Sequence, residues 1–316
     1  MRESWHLTAV KVVIPGGSGQ IGSVLARHFR AGGHAVVVLG RGANVTPWDG
    51  KTLGPWAAEL DGADVVVNLA GRTVNCRYTE ENLAQMMDSR VDSTRVVGQA
   101  IAAAKQPPRV WLQMSTATIY AHRLDAANDE ATGIIGGNEP GVPAYWKRSI
   151  DIAVAWEKAL AEAVTPNTRK VALRTAMMMS PDRDGIFDVF LGLVRKRLGG
   201  AMAGGAQYVS WIHDADYLGA TELLIAREEL EGAVNLAAPN PLPQREFMAV
   251  LREAAGIRLA LPATAWMARL GAWALRTDAE LTLKSRRVIP GRLVEAGYRF
   301  KFPTWPEAVR DLLSRR

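Results

Sequence analysis

Cysteine is nearly absent. One, Cys76, stands among 316 residues, so no disulfide can form within the chain. That excludes a disulfide-stapled secreted scaffold and leads to the expectation of a reducing, cytoplasmic setting. Long apolar runs are missing as well. Spanning a bilayer takes about 18 consecutive apolar residues, and no such run exists. The opening MRESWHLTAV lacks the apolar centre of a secretory signal. No spacing of His, Cys, Asp and Glu suggests a metal site. The formal charge is +6, but the basic residues are scattered, without aromatic interleaving or a nucleic-acid motif. Two small clusters, Arg195-Lys196-Arg197 and Lys284 with Arg286 and Arg287, read as solvated faces, or as contacts for a phosphorylated cofactor or acidic substrate. Neither nucleic acid nor membrane is expected as a partner.

What the chain does carry is a glycine cluster at the end of a short β-branched run. Val10, Val12, Val13 and Ile14 suit a buried parallel strand. Gly16, Gly19 and Gly22 follow at intervals of three, and Ile21, Val24, Leu25 and Phe29 then recur at helical spacing. Strand, glycine turn and helix in that order form a dinucleotide fingerprint. Gly16 permits the sharp turn, Gly19 lets a pyrophosphate approach the backbone, and Gly22 lets helix and strand pack closely. The free N–H groups and dipole of the helix start favour phosphate charge. After the second strand, Ala35 to Leu39, an acidic residue would bind a ribose hydroxyl and favour NAD. The chain has Gly40-Arg41 there, and a guanidinium suits the 2′-phosphate of NADP.

The 316 residues suit one α/β unit plus a smaller lobe, and an apolar content of 48% with a charged content of 22% is ordinary for a soluble globular enzyme. Further strands are expected at Asp64 to Leu69, Val110 to Met114, Val171 to Thr175 and Val234 to Leu236, with helices from about Thr79 to Ala104 and Tyr145 to Ala163. The polar stretch 121–144 reads as a loop over the site. Near the C-terminus, helical patterns fall at Glu246 to Ala255, Ala263 to Leu275 and Thr304 to Leu313. The Trp266, Met267, Leu270 and Trp273 face reads as core or a homodimer contact rather than a membrane surface. His213 and Asp214 read as organisers of the junction between lobes. The expected division is a Rossmann domain over 1–175, joined by 213–237, and a smaller lobe from 176–212 and 238–316.

In this order the motifs resemble an extended short-chain dehydrogenase/reductase, and more narrowly the atypical "epimerase family protein" group with a C-terminal domain of unknown function. The resemblance rests on the glycine fingerprint, Asn68-Leu69-Ala70-Gly71 and the Ser89-to-Arg95 helix segment. It continues through Trp156-Glu157, Leu173-Arg174-Thr175, Leu198-Gly199-Gly200, Ser210-Trp211-Ile212-His213, Asn235 to Asn240 and the tail Ser285 to Phe300. It implies a doubly wound parallel sheet with a smaller C-terminal substrate lobe, and NADP(H) as cofactor. The expected cofactor contacts are Gly16, Gly17, Ser18, Gly19, Gln20, Ile21, Gly22, Arg41, Leu69, Ala70, Gly71, Arg90 and Ser115.

Related dehydrogenases use a Tyr-x-x-x-Lys pair with a Ser or Thr. The lysine lowers a tyrosine pKa from about 10 so that a phenolate is available. Thr116 falls at the Ser/Thr position, but the pair is missing. Starting from Tyr145 puts Ser149 where the lysine should be. Aligning on Trp156-Glu157 puts Ser149 at the tyrosine position and Ala153 at the lysine position. Lys147, two residues from Tyr145, faces another side of the helix. Thr116, Tyr145 and Lys147 are the catalytic candidates, and Tyr120, His122 and Arg174 the substrate candidates. For Arg174 a buried structural pair is the alternative. Two functions follow: an NADP(H)-dependent oxidoreductase or epimerase-like enzyme acting on an unknown small molecule, or an NADPH-holding sensor or interaction protein without turnover.

Overall fold

A computed structural model describes residues 9–274 and 276–316. The N-terminal reading over residues 1–8 and the helix end at Leu275 lie outside the described residues.

Valine and isoleucine runs with no exposed polar face form the centre of a seven-stranded parallel sheet. Its first strands are β1 (Lys11–Pro15), β2 (Ala35–Gly40), the short β3 (Thr46–Pro47), β4 (Val65–Asn68) and β5 (Val110–Thr116). The strands β6 (Arg169–Thr175), β7 (Met177–Met179), β8 (Tyr208–Val209), β9 (Trp211–His213), β10 (Gly232–Leu236) and β11 (Leu242–Pro243) follow. The main sheet runs β10-β6-β5-β4-β1-β2-β3, and β7 with β9 and β8 with β11 form two separate pairs. Val12, Val13, Ile14, Val65, Val66 and Val67 are almost wholly buried, as a sheet covered on both faces requires. The order reverses direction at β1, beside β4, so the carboxyl ends of those strands flank a crevice.

Helices α1 (Gln20–Ala31), α2 (Glu80–Ala103), α3 (Lys147–Glu162), α4 (Ile186–Arg195) and α5 (Asp214–Ala226) occur in the first two-thirds of the chain. Later come α6 (Gln244–Ala254), α7 (Ala265–Ala274), α8 (Glu280–Leu283), α9 (Gly291–Glu295) and α10 (Trp305–Ser314). α1 buries Val24, Leu25 and Phe29 on one sheet face, in one core with Tyr217 and Leu224 of α5. On the other face Val96, Val97 and Ile101 of α2 join Trp111, Trp56 and Leu160. Thr79 caps α2 by accepting from the Asn82 N–H at 3.2 Å. A separate core unites Phe187, Trp211, Phe247 and Trp305 across α4, β9, α6 and α10, with the Phe247 and Trp305 rings stacked 4.0 Å apart.

The 121–144 stretch is a loop, as expected, and it is pinned: Asn128 is buried, its N–H donates to the Arg287 carbonyl at 2.7 Å, and Ile289 N–H donates back to Asn128 at 3.0 Å. Two expectations change. Lys284 and Arg286 are not a solvated face. Lys284 is 2% exposed, because the chain around it crosses the mouth of the main sheet. The α7 face is not core: Trp266 is 64%, Leu270 56% and Trp273 64% exposed. No helix among the described residues is long and apolar enough to cross a membrane.

His213 and Asp214 pin the terminal helix. His213 Nε2 lies 3.1 Å from Asp311, and Arg315 donates to Asp214 Oδ1 at 2.7 Å. Burial opposes charge on Asp214, but hydrogen bonds and charge from His213 and Arg315 outweigh it and hold the carboxyl down at about 2. A depressed folded-state value contributes stability above the ordinary carboxylate pKa and loses it as pH falls toward the folded value. Denaturant titrations between about pH 5 and pH 2 should therefore show the native protein losing about 2 kcal/mol through this group. Asp214→Asn, already less stable at neutral pH, should lack that part of the acid dependence.

Candidate active site

The turn after β1 is built by backbone contact. Gly16 adopts φ +72°, and a Cβ there would stand 2.6 Å from the Ala70 backbone. A Cβ on Gly17 would meet the Ile14 carbonyl at 2.9 Å, and one on Gly22 would meet the Gly17 carbonyl at 2.3 Å. Gly19 differs. It caps α1, and nothing lies within 4 Å of where its Cβ would be. The first turn of α1 has no acidic residue. An open cradle lined by N–H groups at a helix start suits a phosphate. Ser18 is exposed beside it, near Gly40 at the end of β2. Gln20 turns its amide toward Gly185, and Ile21 packs on the sheet core. Arg41 is exposed, and its side chain makes no ion pair among the described residues.

Across the crevice, β4 ends in Asn68, buried and bonded to Gln113, whose neighbour Ala70 donates its N–H to Asn68 Oδ1 at 3.1 Å. Leu69 N–H donates to Pro15. Gly71 lies against Arg90: a Cβ there would be 3.2 Å from the guanidinium carbon. That guanidinium covers the Trp156 ring at 4.9 Å and has no carboxylate partner among the described residues. Burial lowers its pKa to about 10.

The expected chemical residues divide into two groups. Ser115, Tyr120 and Arg174 belong to one buried network. Arg174 grips Glu157 through two bonds of 2.9 and 2.8 Å, and Ser115 donates to the same carboxylate at 2.6 Å. Arg174 also donates to the Tyr120 hydroxyl at 2.9 Å, and that hydroxyl donates to Asn235 Oδ1 at 3.0 Å. Arg174 thus forms the buried structural pair, with Nε and both Nη atoms bonded within the protein. Burial raises the Tyr120 pKa despite the nearby Arg174 charge. The second group lies toward solvent. Tyr145 is 44% exposed, and its pKa is also raised by burial, the reverse of what a phenolate base needs. Lys147 pairs with Asp151 one turn along α3. Thr116 is half-buried, and its hydroxyl accepts the Thr118 N–H at 3.1 Å.

His122 accepts from Ser285 N–H through Nδ1 at 2.8 Å, and burial lowers its pKa, favouring the neutral ring. A cavity of about 220 Å³ opens near it, lined by Glu139, Trp146, Lys147, Ile150 and Lys284.

Residues not counted among the site candidates lie beside these: Glu280, which no motif marks, and Lys284 and Arg286, read in the sequence as a surface cluster. Glu280 is fully buried and accepts from Ser149 Oγ at 2.6 Å. Lys284 donates to the Thr118 carbonyl at 2.9 Å, and Arg286 donates to the Thr118 hydroxyl at 2.9 Å. The four-residue step from Glu280 to Lys284 on a helical pattern is the one local sign of this pairing.

Fold and site together define a dinucleotide-binding α/β protein. The chain belongs to the NAD dependent epimerase/dehydratase family, which matches residues 12–237, and a domain of unknown function, DUF1731, matches residues 263–312. It is 28% identical to the human epimerase family protein SDR39U1 over 96% of this chain and all of that one. It is 30% identical to the epimerase family protein ML0860 of Mycobacterium leprae, with 96% of each covered. The crystal structure of human SDR39U1 with NADPH superposes with a TM-score of 0.82 at 27% identity, covering 97% of this chain and 100% of that one.

Removing Arg174 would leave the Glu157 carboxylate buried and unpaired. Arg174→Ala should cost roughly 3–5 kcal/mol in denaturant unfolding. A loss below about 1 kcal/mol, the range of a surface pair, would contradict the structural role.

Proposed function

We propose that the chain is an NADP(H)-dependent oxidoreductase or epimerase-like enzyme acting on a small molecule in a reducing cytoplasm. The observation that carries this reading is the open backbone at Gly19, set in a turn otherwise closed by Gly16, Gly17 and Gly22. Steric packing accounts for three glycines. The fourth stands at the start of α1 with room in front of its backbone, where a phosphate would sit. NADPH in the human relative supports the same reading.

Gly16 to Gly22 would hold the pyrophosphate, Arg41 the 2′-phosphate, and Leu69, Ala70, Gly71 and Arg90 the far wall. When bound, NADP(H) supplies or accepts hydride at a substrate carbon. The lobe from 176–212 and 238–316 would supply most of the substrate surface. The cavity beside Lys284 and Glu139 is its candidate pocket, with the neutral His122 ring close by. The rival reading, a nucleotide-holding protein without turnover, is favoured by the structural use of Ser115, Tyr120 and Arg174. The buried polar set around Glu280 favours an enzyme, because a fold gains little from burying unpaired polar atoms.

Melting the cofactor-stripped protein with NADPH, NADP, NADH and NAD tests the site. A ligand at about 100 times its dissociation constant adds about 2.7 kcal/mol. The phosphorylated pair should stabilise more, and Arg41→Ala should erase that preference. Gly19→Ala should melt within about 0.5 kcal/mol of the native protein when unliganded, yet lose the shift with NADPH. Equal shifts for all four nucleotides would overturn the Arg41 assignment, and no shift with any would overturn the nucleotide site.

A further inference from the structure

The cavity near His122 is bounded by the covering loop, the start of α3 and one residue of the C-terminal region, Lys284. Lys284 ends α8, and only 1% of its side chain is exposed. An ammonium carries three N–H donors. One goes to the Thr118 carbonyl at 2.9 Å, two residues beyond Thr116 at the end of β5. Its one carboxylate neighbour within 4 Å among the described residues is Glu280, at 3.9 Å, past hydrogen-bond reach. Two donors of a buried cation are thus left without an acceptor among the described residues. The loop contributes Glu139, whose oxygens accept the His122 N–H at 2.7 Å and the Gly137 N–H at 2.5 Å. Lys147, the other cation of the lining, is exposed and pairs with Asp151. Trp146 and Ile150 add buried apolar surface.

We propose that this cavity takes a short-chain monocarboxylic acid bearing a carbonyl or hydroxyl group, and that Lys284 binds its carboxylate. The carbonyl or hydroxyl rests on the oxidoreductase reading, whereas the carboxylate follows from the cavity itself. An ammonium taken out of water is stabilised by an anion that fills its open donors, and charge-assisted bonds of that kind are strong. Glu139, held by two backbone N–H groups, remains an acceptor for a substrate hydroxyl and repels a second carboxylate. Size limits the acid. A volume of about 220 Å³ holds about seven waters at ~30 Å³ each. It lies below the ~300–1,000 Å³ of pockets that enclose drug-sized ligands.

The charge on Lys284 sets the pH at which such a site works. Burial first, and the Arg286 charge second, lower its pKa to about 8. Glu280 and Glu139 act the other way and favour the ammonium. His122, whose ring is held neutral by burial, also feels Lys284, and Lys147 lines the same cavity. The ammonium therefore prevails at neutral pH and gives way to the amine above about pH 8. A carboxylate binds the ammonium and not the amine. Its affinity should hold below that pH and fall by about tenfold per unit above it.

The test is calorimetric titration of the NADPH-loaded full chain with 2-hydroxybutanoate, and with 2-hydroxybutanamide as the uncharged control. The acid should bind about 10–100-fold more tightly than the amide, and the preference should fade above pH 8. Lys284→Met should keep the thermal shift with NADPH yet bind acid and amide alike, and Lys284→Arg should recover part of the preference. Should Lys284→Met fail to fold, the pH dependence of the native protein puts the same question. In turnover, 2-oxobutanoate should exceed its methyl ester in kcat/KM by a similar factor, carried mainly by KM. Equal affinity for acid and amide would overturn the proposal, as would a preference unchanged up to pH 10 or kept in Lys284→Met. A native protein that prefers the acid but oxidises no NADPH with 2-oxobutanoate would leave the carboxylate site standing and strike the oxidoreductase reading. Absence of any NADPH shift would strike the nucleotide site, and acid against amide on the free protein would still judge Lys284.

Discussion

The bidentate contact between Arg174 and Glu157 is the constraint on which the carboxyl edge of the sheet depends. It joins β6 to α3 and, through Ser115, to β5. Through Tyr120 and Asn235 it reaches β10, and Asn235 N–H donates onward to Glu130 in the covering segment at 2.7 Å. A charged pair in this position is costly to desolvate, and its stabilising effect is modest when both partners are present. Its benefit is geometric. Bidentate bonds fix angle as well as distance, so α3 is held through Glu157, in its second half, relative to the strand ends. Ser149 and Trp156 lie on that helix, and Arg90 stacks on Trp156. The placement of the candidate site thus follows from a pair whose recorded partners all lie within the protein.

The sheet was legible in the sequence because its signals are local. A β-branched run that stops at glycine announces a buried strand and a turn, and β1, β4, β5 and β6 appear where such runs occur. The glycine turn was legible for the same reason: Gly16 and Gly22 are required by contacts with Ala70 and Gly17, both set by the strand–turn–helix unit itself and its neighbour β4. The short pairs β7 with β9 and β8 with β11, and helix α4, were not legible. Their residues pack on Trp305 and Phe247, far along the chain, and no local period marks that partnership.

The polar residues were harder for a related reason. A sequence gives the type of a charged residue but not its solvent exposure. Lys284 and Arg286 look like any surface cluster beside Arg287, and Arg287 is indeed half-exposed. What buries the first two is the path of residues 278–287 over Thr118, a tertiary fact fixed by Ser285 bonding His122 and Arg123. For Arg174 the sequence left two readings open, ligand contact from its strand-end position or a buried pair, and Glu157, seventeen residues earlier, supplies the pair.

That occupancy narrows the chemistry. A tyrosine base needs a cation free to stabilise its phenolate. Tyr120 has Arg174 beside it, yet that charge is shared with Glu157, and burial leaves the phenol harder to ionise. Tyr145 has Lys147 near it in sequence, but Lys147 faces Asp151 instead. Neither Tyr120 nor Tyr145 gains the field that the missing lysine would supply. The remaining buried carboxyl with an unpaired oxygen comes from α8, outside the span matched by the epimerase/dehydratase family and within the DUF1731 region.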